Sequence, residues 1–363
     1  MLQTPKSKLG LKASSVFIFS VSIVTSLLSS SAIACDDKAC ETAYLASTQQ
    51  YVYNQRTHAE IYRAERLAHA KNRERRAFAL YMHIHQTRFG TDANKSLEIE
   101  ENIVINGIVR SKESKAKCIE HGVKALQLDL AVNDPPLSQL DRSQIFYFAP
   151  PPPKGENDTV LKVFLDAIGD LPKRVVLIST TGIYGDSQGE WIDENTPVNP
   201  TADRAKRRYS AEQELQRWAK KNNREFMILR VPGIYAKERL PLARLEKGLP
   251  IVSESEAGWT NRIHADDLAQ ACKLAMESDI KNEIINVTDG SPSTMTDYFN
   301  HVADYVNLPR PPQISMLEAE ETLSDGMVSY LKESRRIRND KMLSLLKIRL
   351  KYPDLITALN SFG

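Results

Sequence analysis

The sequence predicts an α/β protein built on a parallel, doubly wound sheet, and three observations predict it. Short apolar runs recur from residue 103 onward, at 103–109, 123–128, 144–149, 174–179 and 283–287, with stretches of helical composition between them. Strands alternating with helices at this spacing argue parallel pairing through crossovers rather than hairpins. One run, Val175-Val176-Leu177-Ile178, is apolar without alternation, as a strand covered on both faces must be. That run ends in Ser179-Thr180-Thr181-Gly182, small polar residues of the kind found where open sheets place ligands.

The first hundred residues differ in character. Lys6, Lys8 and Lys12 precede a serine-diluted apolar segment from Val16 to Ala34, closing on Ala32-Ile33-Ala34-Cys35. A basic start, a short apolar stretch and a small-x-small end read as a signal peptide over 1–34, with an uncleaved membrane anchor as the alternative. Residues 35–90 read as a basic helical segment, since 41–86 contain neither Gly nor Pro. Its excess of Arg56, Arg63, Arg66, Lys71, Arg73, Arg75 and Arg76 suits a solvated face, with contact with an anionic membrane surface or nucleic acid as the alternative, and no specific nucleic acid is expected. His83 and His85 would lie on different helix faces, so no metal site is expected. Residues 91–102 read as a linker. A formal net charge of +2 asks for no acidic partner overall, and four cysteines are too few for a disulfide scaffold.

In the body, a strand at 103–109 ends in Arg110-Ser111, a helix covers 113–121, and a strand at 123–128 ends in Asp129-Leu130. The strand at 144–149 must leave the sheet at Pro150-Pro151-Pro152-Pro153, because proline cannot donate to a ladder. Helix 158–167 leads to the strand at 174. Further helices are expected over 203–215, 266–276, 296–306 and 340–347. The nucleotide-binding domain is taken as 103–235 and a small α+β subdomain on the substrate side as 236–363.

Three blocks in this order carry a resemblance: Ile178-Ser179-Thr180-Thr181-Gly182-Ile183-Tyr184-Gly185, Leu229-Arg230-Val231-Pro232-Gly233-Ile234-Tyr235, and Asn261-Arg262-Ile263-His264-Ala265-Asp266-Asp267-Leu268-Ala269. Together they resemble the extended short-chain dehydrogenase/reductase superfamily, its NAD-dependent epimerase/dehydratase group, and its atypical bacterial members called nucleoside-diphosphate-sugar epimerases. The resemblance implies a Rossmann-like sheet that binds NADP or NAD. It places Arg110 and Ser111 at the adenosine 2′-position, Asp129 and Leu130 beside the adenine, and Ala149, Pro150, Pro232 and Gly233 along the cofactor. An arginine at 110 favours NADP, since an acid would hold a ribose hydroxyl there. For Arg110 and Asp129 the alternative is an ordinary strand-end charge.

The same resemblance puts Thr180 at the Ser/Thr position that binds the substrate oxygen. Anchoring on Ala211-Glu212 places Arg204 and Arg208 where the family has Tyr-x-x-x-Lys. Arg208 could hold a ribose or phosphate, but a guanidinium cannot stand in for a phenol as proton donor. Tyr184, Arg239 and Arg262 are the candidate substrate contacts, and His264 reads as a structural histidine. A second departure from the family lies ahead of the body. Between Met1 and Ile103 the only glycines are Gly10 and Gly90, so no G-x-G-x-x-G exists and the first strand-turn-helix unit is expected to be missing. A fusion, a deletion or a misread gene start would each give this pattern.

The expected function is an NAD(P)-dependent epimerase, dehydratase or reductase-like protein acting on a nucleotide sugar or related small molecule, with impaired catalysis. The alternatives are a non-catalytic nucleotide-sugar-binding or regulatory relative, and an exported or membrane-tethered interaction protein. The leader implies export or anchoring, whereas the α/β body implies the cytoplasm.

Overall fold

The computed structural model describes residues 14–18, 104–120, 123–323 and 325–363. Seven parallel strands form its central sheet: β1 (Ser14–Ile18), β2 (Val104–Val109), β3 (Lys124–Gln127), β4 (Gln144–Tyr147), β5 (Arg174–Thr180), β7 (Glu225–Val231) and β10 (Glu283–Asn286). A two-stranded pairing of β6 (Trp191–Ile192) with β11 (Arg336–Ile337), and another of β8 (Gly233–Tyr235) with β9 (Arg262–His264), lie outside that sheet. The main order is β10-β7-β5-β4-β1-β2-β3. The chain therefore winds outward in both directions from the β1–β4 boundary, the switch point where an open α/β sheet leaves a crevice at its carboxyl edge.

The presence of β1 corrects one expectation. The first strand is not missing; it is drawn from the apolar run read as a leader. Its backbone pairs with β2 on one side, Val16 opposite Asn106, and with β4 on the other, Val16 opposite Ile145. Val16-Phe17-Ile18 is β-branched and aromatic, a composition that serves a strand as well as a leader. The phosphate-cradling turn is not restored, because Phe19-Ser20-Val21-Ser22-Ile23-Val24 follow β1 and contain no glycine. The basic helical segment, with His83 and His85, and the linker lie outside the described residues.

Helices cover both faces. On one, α2 (Thr159–Ile168) and α3 (Asp203–Asn222) bury Leu161, Phe164, Leu165, Leu215 and Trp218 against Ile145, Tyr147, Val175 and Leu177. Asp158 starts α2 by accepting the Leu161 N–H at 3.0 Å, and α3 stops at Asn223 in the left-handed region (φ 51°), a conformation Asn tolerates. On the other face, α1 (Lys112–Glu120), α4 (Ala265–Glu277) and α8 (Asp340–Leu346) bury Cys118, Leu268, Cys272 and Met342 against Val109, Phe146, Val176 and Leu229. Buried Arg174 donates from Nη1 to the carbonyls of Ala275, Met276 and Ser278, capping the negative end of α4.

The later chain adds α5 (Met295–Tyr305), α6 (Met316–Thr322), α7 (Asp325–Leu331) and α9 (Leu355–Ser361). Within the span assigned to the small subdomain, β10 returns to the main sheet as its edge strand. Among the described residues, no helix is long and apolar enough to cross a membrane, and no cluster of His, Cys, Asp and Glu could hold a metal ion.

Candidate active site

The carboxyl edge of the sheet carries three groups of candidate residues. On the β2–β3 side, Arg110 Nη1 lies 4.0 Å from Asp129 Oδ2, with both side chains partly exposed. Ser111 Oγ accepts the Ser114 N–H at 3.1 Å and starts α1, while Asp129 Oδ1 accepts the Ala131 N–H at 3.0 Å. The structure thus brings Arg110, Ser111 and Asp129 to adjacent strand ends. Leu130 is different: its side chain is buried in the core beneath α2, so only its backbone stands at the edge. Pro150 and Pro232 are half-buried, and Gly233 donates its N–H to Asn261 O at 3.3 Å.

At the end of β5, consecutive residues point to opposite faces. Half-buried Thr180 accepts the Gly182 N–H at 3.2 Å and opens the turn beyond it. Ser179 points inward and donates to Glu212 Oε1 at 2.5 Å. Glu212, fully buried on α3, takes a forked pair from Arg230, with Nε at 3.2 Å from Oε1 and Nη2 at 2.9 Å from Oε2. Arg230 Nη1 also donates to the Tyr184 phenol oxygen at 2.9 Å, and that phenol donates to Asn286 Oδ1 at 2.8 Å. Asn286 N–H reaches Glu194 Oε1 at 2.7 Å. Burial alone would weaken the Arg230 charge; the carboxylate beside it outweighs that and holds the guanidinium above its ordinary range. Burial also raises the Tyr184 phenol, against the pull of Arg230.

This network corrects the expectation for Tyr184. Its side chain is 2% exposed and its hydroxyl is committed at both lone pair and proton, so it ties β5 to β7 and β10 rather than meeting a substrate. Arg262 is corrected on similar grounds. It is 7% exposed, donates to Ser293 Oγ, Thr260 Oγ1 and Thr294 O at 2.9–3.0 Å, and lies over the Tyr298 ring. Buried Asp289 is beside it, pushed up to about 7 by desolvation. Arg239 is half-buried in the short turn Lys237–Arg239. His264 accepts the Asp266 N–H at 3.1 Å and stacks on Tyr352, as a structural histidine does.

Reasoning from sequence alone misses Glu212 and Arg230 as a pair. A signal for the helix half of it exists: 204, 208 and 212 repeat at i, i+4 and i+8 and so share one stripe of α3. Along that stripe the environment changes from open to buried. Arg204 is exposed and its Nη1 is 3.4 Å from Ser329 Oγ on α7. Arg208 is half-buried, donates to Ala149 O at 3.2 Å, and is pulled down by burial against the opposing charge of Asp158. Beside the Arg204 end, a cleft of about 570 Å³ opens between the 186–201 loop and α7, lined by the apolar Val328 and by Asp186, Asn199, Thr201, Ser329, Lys332 and Glu333.

These residues fit a dinucleotide in part. The adenosine end fits, with a guanidinium and a carboxylate at adjacent strand ends beside the switch point. The pyrophosphate end lacks the glycines that let a backbone approach it closely.

Residues 157–288 match the NAD dependent epimerase/dehydratase family. Over 142 residues the chain is 24% identical to a Methanocaldococcus jannaschii protein whose name provisionally calls it a UDP-glucose 4-epimerase; the match covers 36% of this chain and 46% of that protein, about half its length. A conserved protein of unknown function from Silicibacter pomeroyi superposes with a TM-score of 0.66 at 27% identity, covering 78% of this chain and 94% of that one. The UDP-glucuronic acid 4-epimerase of Bacillus cereus, solved with NAD and with UDP-glucuronic acid and NAD, is similar in fold alone: for the NAD complex the TM-score is 0.59 at 16% identity, covering 77% and 95% of the two chains.

Proposed function

We propose that this chain is a member of the NAD-dependent epimerase/dehydratase family, which its residues 157–288 match, and that it binds NADP or NAD at the sheet's carboxyl edge and takes a nucleotide sugar in the adjoining cleft. One observation supports this reading above the others: Arg110, Asp129 and Thr180 stand at the ends of β2, β3 and β5, on the two sides of the switch point where such sheets receive a dinucleotide. Arg110 and Asp129 would hold the adenosine end, with Ser111, Ala149, Pro150, Pro232 and Gly233 along the edge. When bound, the nicotinamide supplies hydride transfer.

This chain's own residues restrict the proton chemistry open to it. Thr180 offers a hydroxyl to a substrate oxygen. No phenol stands at position 204, and Arg204 cannot release a proton at working pH. We read the protein as an epimerase, dehydratase or reductase relative with weakened proton transfer. A non-catalytic nucleotide-sugar-binding relative is favoured by the same two arginines, Arg204 and Arg208, which can hold anions but cannot act as acids.

Titration of the full chain with NADP and NAD tests the reading. Saturable binding, tighter for NADP through Arg110, is expected, and Arg110→Ser should narrow the preference between the two by roughly tenfold. No binding of either would sink the cofactor assignment and leave the scaffold reading. On localisation, we propose that the cofactor-binding form keeps Ser14–Ile18 in the sheet and works where nicotinamide cofactors are found. Mass analysis of the protein from fractionated cells checks this: a cofactor-binding species beginning after Ala34 would contradict it.

A further inference from the structure

Four cations crowd the first turns of α3: Arg204, Lys206, Arg207 and Arg208. Three have work within the protein. Lys206 Nζ pairs with Glu156, Arg207 Nη1 donates to Gly155 O at 2.6 Å, and Arg208 Nη1 donates to Ala149 O at 3.2 Å. Arg204 differs. It is exposed, it has one long hydrogen bond to the Ser329 hydroxyl at 3.4 Å, and among the described residues it has no carboxylate partner. A guanidinium presents five N–H donors in a rigid fork. One hydroxyl at that distance leaves most of the fork unused, and that hydroxyl, on Ser329, lines a cleft of about 570 Å³.

The other charges around the cleft have contacts of their own, although Asp186 meets backbone N–H groups and no cation, and Glu333 Oε1 is buried with no hydrogen bond. Asp186 Oδ1 accepts the N–H groups of Gln188 at 3.1 Å and Ser334 at 2.8 Å. Glu333 Oε2 takes Arg335 Nη1 at 2.9 Å, and Lys332 pairs with Glu320 at 2.9 Å. What remains of the wall is neutral: the Asn199 amide, the hydroxyls of Thr201 and Ser329, and the apolar side chain of Val328. A wall of amide and hydroxyl groups suits a polyol, and one open guanidinium beside it selects an anionic polyol over a neutral one.

We propose that Arg204 is the specificity-determining residue of this cleft and that the ligand carries an oxyanion, a carboxylate or a phosphate, where Arg204 meets it. This deepens the nucleotide-sugar reading and rests on it. The replacement of a phenol by a guanidinium at 204 then exchanges a proton-handling group for an anion-holding one.

The test is calorimetric titration of the full chain with four probes: UDP-glucose, UDP-glucuronic acid, UDP and uridine. The first two differ by a sugar carboxylate, the last two by the diphosphate. Wild-type protein is expected to prefer UDP-glucuronic acid over UDP-glucose by about tenfold, and Arg204→Gln to bring that ratio near one, with Arg204→Lys intermediate. Lys206→Gln, which removes an equal charge from the outer side of the same turn, should leave the ratio alone. If instead the tenfold step lies between UDP and uridine and disappears in Arg204→Gln, the oxyanion is the phosphate and the assignment of Arg204 stands. Ratios unchanged in Arg204→Gln overturn the assignment while the nucleotide-sugar reading survives. If wild-type protein binds none of the four, that reading itself is lost, and the proposal with it.

Discussion

The two ends of one helix stripe make the most instructive comparison in this molecule. At the inner end of α3, Glu212 is fully enclosed and shared between Ser179 and Arg230. At the outer end, two helical turns away, Arg204 stands exposed with a single long contact. Both positions carry charge, and both lie on the face that approaches the strand ends. Burial assigns them opposite roles. A charge removed from water persists only if its partners answer it, so the inner pair is architecture. A charge at a cleft rim keeps its hydration until a ligand replaces it, so the outer one is free to recognise.

Breaking the inner end should have the largest effect. Glu212→Ala leaves the Arg230 guanidinium buried without its carboxylate, a change that costs on the order of 3–5 kcal/mol. Urea denaturation measures it. The double variant Glu212→Leu/Arg230→Met should recover much of the loss, because the uncompensated charge is gone. If Glu212→Ala unfolds at the wild-type midpoint, the inner network is not what fastens α3 to β5 and β7.

Next in size is a pH effect in the later chain. Desolvation pushes buried Asp289 up to about 7, while the Ser291 N–H and Arg262 pull it down and Asp354 and Asp267 push it further up. Its folded value lies above its unfolded one near 4, so between those pH values the folded chain holds a proton that the unfolded chain releases. Stability from this group therefore falls as pH rises from about 4 to 7, by an amount on the order of a few kcal/mol. Asp289→Asn should flatten that slope, seen as a smaller difference in Tm between pH 5 and pH 8. An unchanged difference would mean the carboxyl is ionised throughout.

How far such roles can be read from sequence depends on whether the deciding partner is local. The strands at 104, 124, 144 and 174 are legible because periodicity and their polar terminations are local properties. So are the positions of Arg110, Asp129 and Thr180, which follow from counting to the end of a strand. The first strand escapes such reading because Ser14–Ile18 has its partners about ninety residues later in β2 and further still in β4. Taken alone, lysines followed by serines and apolar residues satisfy a leader equally well. Tyr184 and Arg262 mislead for the same reason: a Tyr or Arg near a strand end looks like a ligand contact until Arg230, Asn286, Ser293 and Thr294 are brought to it.

Arg262 sharpens the comparison from the middle of the range. It is charged like Arg204 but enclosed like Glu212. Arg262→Ala removes three hydrogen bonds and a contact with the Tyr298 ring, and it leaves Asp289 without its nearby cation. A loss of about 2–3 kcal/mol in urea denaturation is expected. Ligand affinity lost at unchanged stability would return Arg262 to the substrate site.

The smallest effect is the most discriminating. Arg204→Gln removes no buried contact and no ion pair within the described residues, so its stability should lie within about 0.5 kcal/mol of wild type. The shorter glutamine keeps the aliphatic stem's packing and gives up only the one long contact with the Ser329 hydroxyl. Binding data on this variant can then be read without correcting for damage to the fold. Residues eight apart on one helix face, Glu212 and Arg204, should thus give the largest and the smallest change in the urea midpoint. A marked destabilisation by Arg204→Gln would mean that position 204 fastens α7 to α3, and the open rim on which anion recognition depends would be a closed joint instead.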